Sequence, residues 1–341
     1  MGVGAVPGVL LADAASAALS GPYGALDLGT NNCRLLIAIP SADGFEVIDA
    51  FSRIVRLGEG LSVTGRLGDQ AMRRTVDALR VCANKLTWSK VSRRRLVATG
   101  ACRAAANGGD FLQRVKEETG LELEIIARET EARLAATGAE PLIDEAVTTA
   151  LVFDIGGGST ELMWLERGLE ALRIAAWTSL AAGVVTISER FGGVDVTPES
   201  YQAMRDYLRP LLRTFGEEVK KATRSNGLPG HLLGTSGTVT TIAGVQLGLR
   251  RYDRSRVDGC WLEAPAIAVV TGRLLTMGYN ERMNHPCIGR DRADLVLAGC
   301  AILEEIRDAF PSPRIRVADR GLREGILTLL MKEDGTFGTQ P

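Results

Sequence analysis

Two aspartates, Asp27 and Asp154, each end an apolar run and open a turn of small polar residues, 127 residues apart. The first stretch reads "ALDLGTNNCRLLIA" (25–38) and the second "LVFDIGGGSTELMWL" (151–165). A glycine-bearing turn lets backbone N–H groups converge on an anion without Cβ atoms in the way. Gly156, Gly157, Gly158, Ser159 and Thr160 supply such donors in the second turn, and Thr30, Asn31 and Asn32 match them in the first. An aspartate beside such a turn cannot bind phosphate itself. It can hold Mg²⁺, usually through water, and the metal then neutralises phosphate oxygens. A third turn, "GTSGTVTT" (234–241), leads into helical spacing. There Ser236, Gly237 and Thr238 fit either an anion site at a helix N-terminus or an ordinary N-cap.

These turns need strands to carry them. "GALDLG", "CRLLIAIP" and "FEVIDAFSRIVRLG" are apolar, often β-branched runs parted by turn residues. "DQAMRRTVDALRVCANKL" has helical apolar spacing, "RRRLVATG" is a strand of buried type, and "GGDFLQRVKEETG" is helical. "LELEIIA" alternates as a strand does, and "RETEARLAATGAE" is a helix that stops at Gly138 and Pro141. The order then restarts: a strand to Asp154, strands "ELMWLE" and "LEALRIAAW", a long helix from Pro198 to Thr223, strand–turn–helix at 231–246, and a late strand, "RIRVAD". Two halves that open alike point to duplication. The expected division is an extension at 1–22, a first domain at 23–140, a second at 141–333 and a tail at 334–341.

Composition narrows the partners. With 341 residues, 45% hydrophobic and 24% charged, the chain suits a two-domain globular α/β protein. A net charge of −1 excludes a protein-wide basic field, so no nucleic-acid partner is expected. Six of the 40 basic residues are lysine, so arginine, the bidentate phosphate binder, dominates. Six cysteines without a CxxC pair, and only His231 and His285, argue against a zinc site or a disulfide framework and suit a reducing cytoplasm. No apolar run reaches the roughly 20 residues of a membrane span, so no membrane partner is expected. The first twenty residues lack the basic start of a secretory signal.

The ordered set "DLGTNN" (27–32), "ATGACRAAANGGDFL" (98–112), "ETEARLAATGA" (129–139), "DIGGGSTEL" (154–162), "GTSGTVTT" (234–241), "DRADLVLAGCAIL" (291–303) and "DRGLREGIL" (319–327) resembles the exopolyphosphatase / guanosine pentaphosphate phosphohydrolase family. That family lies within the ASKHA superfamily of actin, sugar kinases and heat-shock chaperones. The resemblance implies two ribonuclease H-like domains around a cleft, and release of a terminal phosphate from inorganic polyphosphate or pppGpp. By the same resemblance Glu131 is the catalytic glutamate that activates water. Asp154 and Glu161 are metal-associated acids with Asp27 as their counterpart, and Arg103 and Asn107 belong to a phosphate-contacting loop. Mg²⁺ or another divalent cation is the implied cofactor, with room for a monovalent cation, and a homodimer is compatible. The C-terminal HD-type region of longer relatives has no counterpart here, which favours short polyphosphate chains.

Residue chemistry alone reads Glu131 as a solvated glutamate in a first helical turn, where the helix dipole favours its charged form. The second half's Arg256, Arg282, Arg290, Arg292, Arg320 and Arg323 are candidates for a polymer track. A pppGpp phosphohydrolase is the nearest rival reading. An ATP-dependent kinase and a nucleotide-dependent switch on the same scaffold are the others.

Overall fold

The computed structural model describes residues 21–168, 172–223 and 227–338. The expected extension therefore lies almost wholly outside the described residues, as do the first residues of "LEALRIAAW".

The first sheet holds β1 (Tyr23–Leu28), β2 (Asn32–Ser41), β3 (Gly44–Ile54), β4 (Arg93–Ala98) and β5 (Glu124–Ile125), in the order β3-β2-β1-β4-β5. The second holds β6 (Thr149–Ile155), β7 (Thr160–Arg167), β8 (Leu172–Leu180), β9 (His231–Thr235), β10 (Trp261–Glu263) and β11 (Arg314–Val317), in the order β10-β11-β9-β6-β7-β8. In each, three antiparallel strands joined by hairpins are followed by strands running parallel to the first. The duplication suggested by the two acidic turns is thus a duplication of topology, with β10 added at one edge. Each lobe has the α/β, ribonuclease H-like arrangement expected.

The helices of two turns or more are α1 (Asp69–Trp88), α2 (Gly108–Thr119), α3 (Arg128–Ala139), α4 (Val184–Phe191), α5 (Pro198–Ala222), α6 (Ser236–Gln246), α7 (Ala264–Thr276), α8 (Val296–Ala309) and α9 (Leu322–Glu333). Period-two alternation sends β2 side chains to both faces of the first sheet. Cys33, Leu35 and Ile37 pack with Val76, Leu79 and Cys82 of α1, and Phe111 of α2 joins them. Leu36 and Ala38 face the other way, onto Ile326, Leu330 and Met331 of α9. The second sheet is likewise covered twice, by Met204, Leu208 and Leu212 of α5 on one face and by Ala132, Ala135 and Ala139 of α3 on the other.

The helices between the lobes are exchanged. α3 comes from the first half yet lies on the second sheet, and α9 comes from the second half yet lies on the first. The boundaries at 140 and 333 therefore follow chain order but not packing, because each inner helix buries its apolar face on the opposite lobe's sheet. The two helices touch where neither has a side chain. A Cβ on Gly138 would fall 1.9 Å from the Gly321 carbonyl oxygen, and one on Gly325 would fall 1.9 Å from that of Leu134.

Two smaller expectations change. "LELEIIA" forms only the two-residue β5, since its alternation is satisfied by burying Leu121 on one side of the sheet and Ile126 on the other. The expected tail folds back at its start: Tyr23 donates to Asp334, and the Phe337 ring covers Gly44.

Candidate active site between the lobes

Both acidic turns open onto one cleft, which encloses about 140 Å³ and includes Asp27, Thr30, Asn31, Asn32, Glu131 and Asp154 in its walls. The β1–β2 hairpin places Asp27 one strand position before its turn, and the β6–β7 hairpin does the same for Asp154. The two turns meet directly. A Cβ on Gly157 would come 3.1 Å from the Cβ atoms of Thr30 and Asn31, and one on Gly158 would come 3.0 Å from Oγ1 of Thr30. Glycine is needed here so that one backbone can approach the other.

Gly156, Gly157, Gly158 and Ser159 line the cleft as expected, and the side-chain oxygens of Asn31 and Asn32 are buried without a hydrogen-bond partner among the described residues. Unpaired acceptors of this kind suit a water or another hydrogen-bond donor in the cleft. Thr160 does not contribute its side chain: it is fully buried and donates to the Ala182 carbonyl. The third turn also enters the cleft, through Ser236, Gly237 and Thr238. Ser236 is not a cap. Its φ is +80°, its hydroxyl donates to the Ile155 carbonyl at 2.7 Å, and Thr235 holds the N-cap position without capping the helix through its side chain. The first N–H groups of α6 are left uncapped toward the cleft.

Glu131 reaches the cleft from the first turn of α3. Arg103 Nη1 donates to its Oε2 at 2.9 Å and also to the Ile126 carbonyl at 2.9 Å, so the carboxylate is held in one orientation. Its Oε1 has no hydrogen bond among the described residues. The expectation of a solvated, dipole-stabilised anion fails. Burial, reinforced by the charge of Glu161, raises the Glu131 pKa to about 8 against the opposing pull of Arg103. Desolvation outweighs the helix dipole because the carboxylate lies between the lobes rather than on a helix surface. Arg103 lies outside the cleft lining and reaches it through Glu131. Asn107 is a clear correction: its amide accepts from the Leu67 N–H and donates to the Leu67 carbonyl, away from the cleft. Being an Asn in a loop beside the site was not enough, because the amide is spent on holding that neighbouring segment.

Three acids define the metal question. Burial raises Asp27 to about 6, opposed by Arg34 and Arg323, and burial also raises Asp154. Glu161 is raised to about 7 by burial and then by Asp154, although Ser159 and Ser179 both donate to its Oε1. Among the described residues no three acidic, His or Cys side chains form a ready cage, so the trio does not stand as a three-ligand set. Asp27 and Asp154 nevertheless fit a magnesium ion. Mg²⁺ keeps several waters and takes one or two carboxylates plus phosphate oxygens, and two desolvated carboxylates within each other's field favour a cation.

Arginines complete the walls. Arg292, Arg320 and Arg323 line the cleft, whereas Arg256 and Arg290 are exposed and lie outside its lining. Arg282 leaves the candidate track altogether: it is 2% exposed and donates to the Gly193 and Val194 carbonyls. Arg34 lines the cleft too and was missed. Its signal was a lone charge in the run "CRLLIA", directly opposite Asp27 in the β1–β2 register.

The Ppx/GppA phosphatase family model matches residues 36–334. Exopolyphosphatase 2 of Mycobacterium tuberculosis is 30% identical over 322 residues, covering 89% of this chain and 96% of that protein. The crystal structure of the Aquifex aeolicus Ppx/GppA family member superposes with a TM-score of 0.74 at 29% identity, over 92% of this chain and 98% of that one. An exopolyphosphatase from Cytophaga hutchinsonii shares the fold with a TM-score of 0.82 at 24% identity, over 94% and 100% of the two chains.

Proposed function

The chain belongs to the Ppx/GppA phosphatase family and is a phosphoanhydride hydrolase, and on that premise we propose that it is an exopolyphosphatase, releasing terminal orthophosphate from short polyphosphate. One observation carries the mechanism. Glu131, pinned through one oxygen by Arg103, lines a cleft shared with the two facing Asp–glycine turns.

Phosphoanhydride hydrolysis has a good leaving group, so the catalyst must mainly gather negative charge and place a water in line. The N–H groups of the two turns and of the start of α6, with Arg34, Arg292 and Arg323, provide donors and positive charge for the terminal phosphates. Such preorganised electrostatics is usually the largest catalytic contribution. Magnesium, held by Asp27 and Asp154, would supply further neutralisation of phosphate oxygens. Glu131 takes the proton of the attacking water through Oε1, while Arg103 fixes Oε2. A positioned base contributes roughly 10²–10⁴-fold.

The test is phosphate release by the purified protein with Mg²⁺ on short polyphosphate, long polyphosphate, pppGpp and ATP in parallel, for wild type and Glu131→Gln. The expected result is release from short polyphosphate, reduced by about 10²-fold or more in the variant, with binding retained. Release from pppGpp alone would move the function to alarmone turnover on the same site. Wild-type turnover in Glu131→Gln would remove Glu131 as the base.

A further inference from the structure

A second set of contacts joins the lobes outside the cleft. The segment after β3 wraps the first turn: Val55 and Arg56 donate their N–H groups to the Asn31 carbonyl, and Gly58 donates to that of Thr30. The fit is close, since a Cβ on Gly58 would fall 2.3 Å from Cγ2 of Thr30. The same segment reaches across to the other lobe at two points. Arg56 Nη1 and Nη2 donate to the two carboxylate oxygens of Asp294, each at 2.8 Å, and Nη2 also donates to the Asp291 carbonyl. Four and six residues on, the Gly60 N–H and the Ser62 hydroxyl donate to the two oxygens of Glu189.

The receiving groups are anchored to the second turn. Glu189 lies on α4, whose first N–H groups, from Val184 and Val185, donate to the carbonyls of Gly156 and Gly157. Ser188 of α4 donates to the Asp294 carbonyl, and a Cβ on Gly193 would fall 2.0 Å from that oxygen. A chain of hydrogen bonds results, from the first turn through segment 55–62, Asp294 and Glu189 to α4 and the second turn. Arg56 has φ +47°, a left-handed conformation that a non-glycine residue adopts at a cost. Strain at the residue making the fork is consistent with a conformation imposed by the contact.

We propose that Arg56 is a positioning residue, whose forked pair with Asp294 sets the spacing of the two phosphate-binding turns and so controls turnover without touching the substrate. A bidentate guanidinium–carboxylate pair fixes angle as well as distance, which a single contact does not. Both side chains keep some exposure, 31% for Arg56 and 20% for Asp294, so the clasp can open without exposing a core. The inference rests on the hydrolase reading only for its kinetic readout.

The experiment compares wild type with Arg56→Gln, Asp294→Asn, Glu189→Gln and Arg56→Lys, measuring kcat and KM for phosphate release from short polyphosphate. Melting temperature and amide exchange over residues 55–62 and 184–191 are followed in the same proteins. Arg56→Gln and Asp294→Asn should lower kcat at least tenfold with melting temperatures near wild type, and both segments should exchange faster. Arg56→Lys, which keeps the charge but loses the fork, should fall between. Glu189→Gln should speed exchange over 55–62. A kcat within twofold of wild type in both single variants would overturn the proposal, as would a loss that merely follows melting temperature. If wild type released no phosphate from any substrate, the functional reading would fall separately. Unchanged exchange in Arg56→Gln and Asp294→Asn would then still overturn the clasp.

Discussion

Arg103 Nη1 donates to Glu131 Oε2 across 2.9 Å, and that contact opposes what burial does to the acid. Burial and Glu161 raise Glu131 to about 8, while Arg103 pulls it down. A general base works deprotonated, so kcat/KM should rise with pH through the region near 8. Removing the guanidinium in Arg103→Gln should move this limb to higher pH, because the influence that lowers the pKa is gone. A cation held at Asp27 and Asp154 acts in the opposite direction. A pH–rate profile of wild type and Arg103→Gln, each at low and at saturating Mg²⁺, checks both signs, and an unmoved limb in the variant would separate Arg103 from the titration.

The same acids make stability depend on pH and metal. Asp27, Glu131 and Glu161 hold protons more tightly folded than their ordinary values of 3.8 and 4.5 imply, with folded values of about 6, 8 and 7. The folded state binds more protons across that window. This contribution to stability is therefore present below about pH 4 and is lost progressively as pH rises to about 8. In chelator, the melting temperature should fall between pH 5 and 8. Magnesium should restore more of it at pH 8 than at pH 5, and Asp154→Asn should abolish most of that restoration. Calorimetric melts with and without Mg²⁺ would measure it.

Gly325→Ala should be among the most damaging single-methyl changes in the molecule. The added Cβ would sit 1.9 Å from the Leu134 carbonyl oxygen, which is backbone and cannot swing aside. Forcing α3 and α9 apart should cost about 3 kcal/mol. It should also displace Glu131, which rides on α3, so the folded fraction should be slower as well. Denaturant unfolding together with activity per folded molecule separates the two effects.

Arginines that line the cleft should behave differently from those that do not. Arg292→Gln and Arg323→Gln, which remove cations from the wall, should each raise KM for polyphosphate by about tenfold, as expected for loss of a hydrogen bond to a charged group. Arg256→Glu and Arg290→Glu, on exposed side chains outside the cleft lining, should leave KM within about twofold, as expected for surface charge at physiological salt. Steady-state kinetics at two ionic strengths tests the contrast.

The local design was legible in the chain. Asp27 and Asp154, with their Gly, Ser, Thr and Asn turns between apolar alternating runs, required only strand period and turn chemistry to be read, and the β1–β2 and β6–β7 hairpins carry them as expected. Helix α3 followed in the same way from periodicity, but it runs on to Ala139, and Gly138 serves the close approach to α9 rather than a stop. What tertiary structure alone decided was burial and partnership. Glu131 looks solvated in its own helix, and only the packing of α3 onto the opposite lobe's sheet desolvates it. Thr160 and Asn107 carry the right polar groups, but the hydroxyl is claimed by Ala182 and the amide by Leu67, contacts across 22 and 40 residues. Arg34 and the Arg56–Asp294 pair gain their meaning from strand register and from a contact across 238 residues. Spacing along the chain governs which groups a turn or helix presents. Which of them remain free for a ligand depends on the long-range contacts that consume the others.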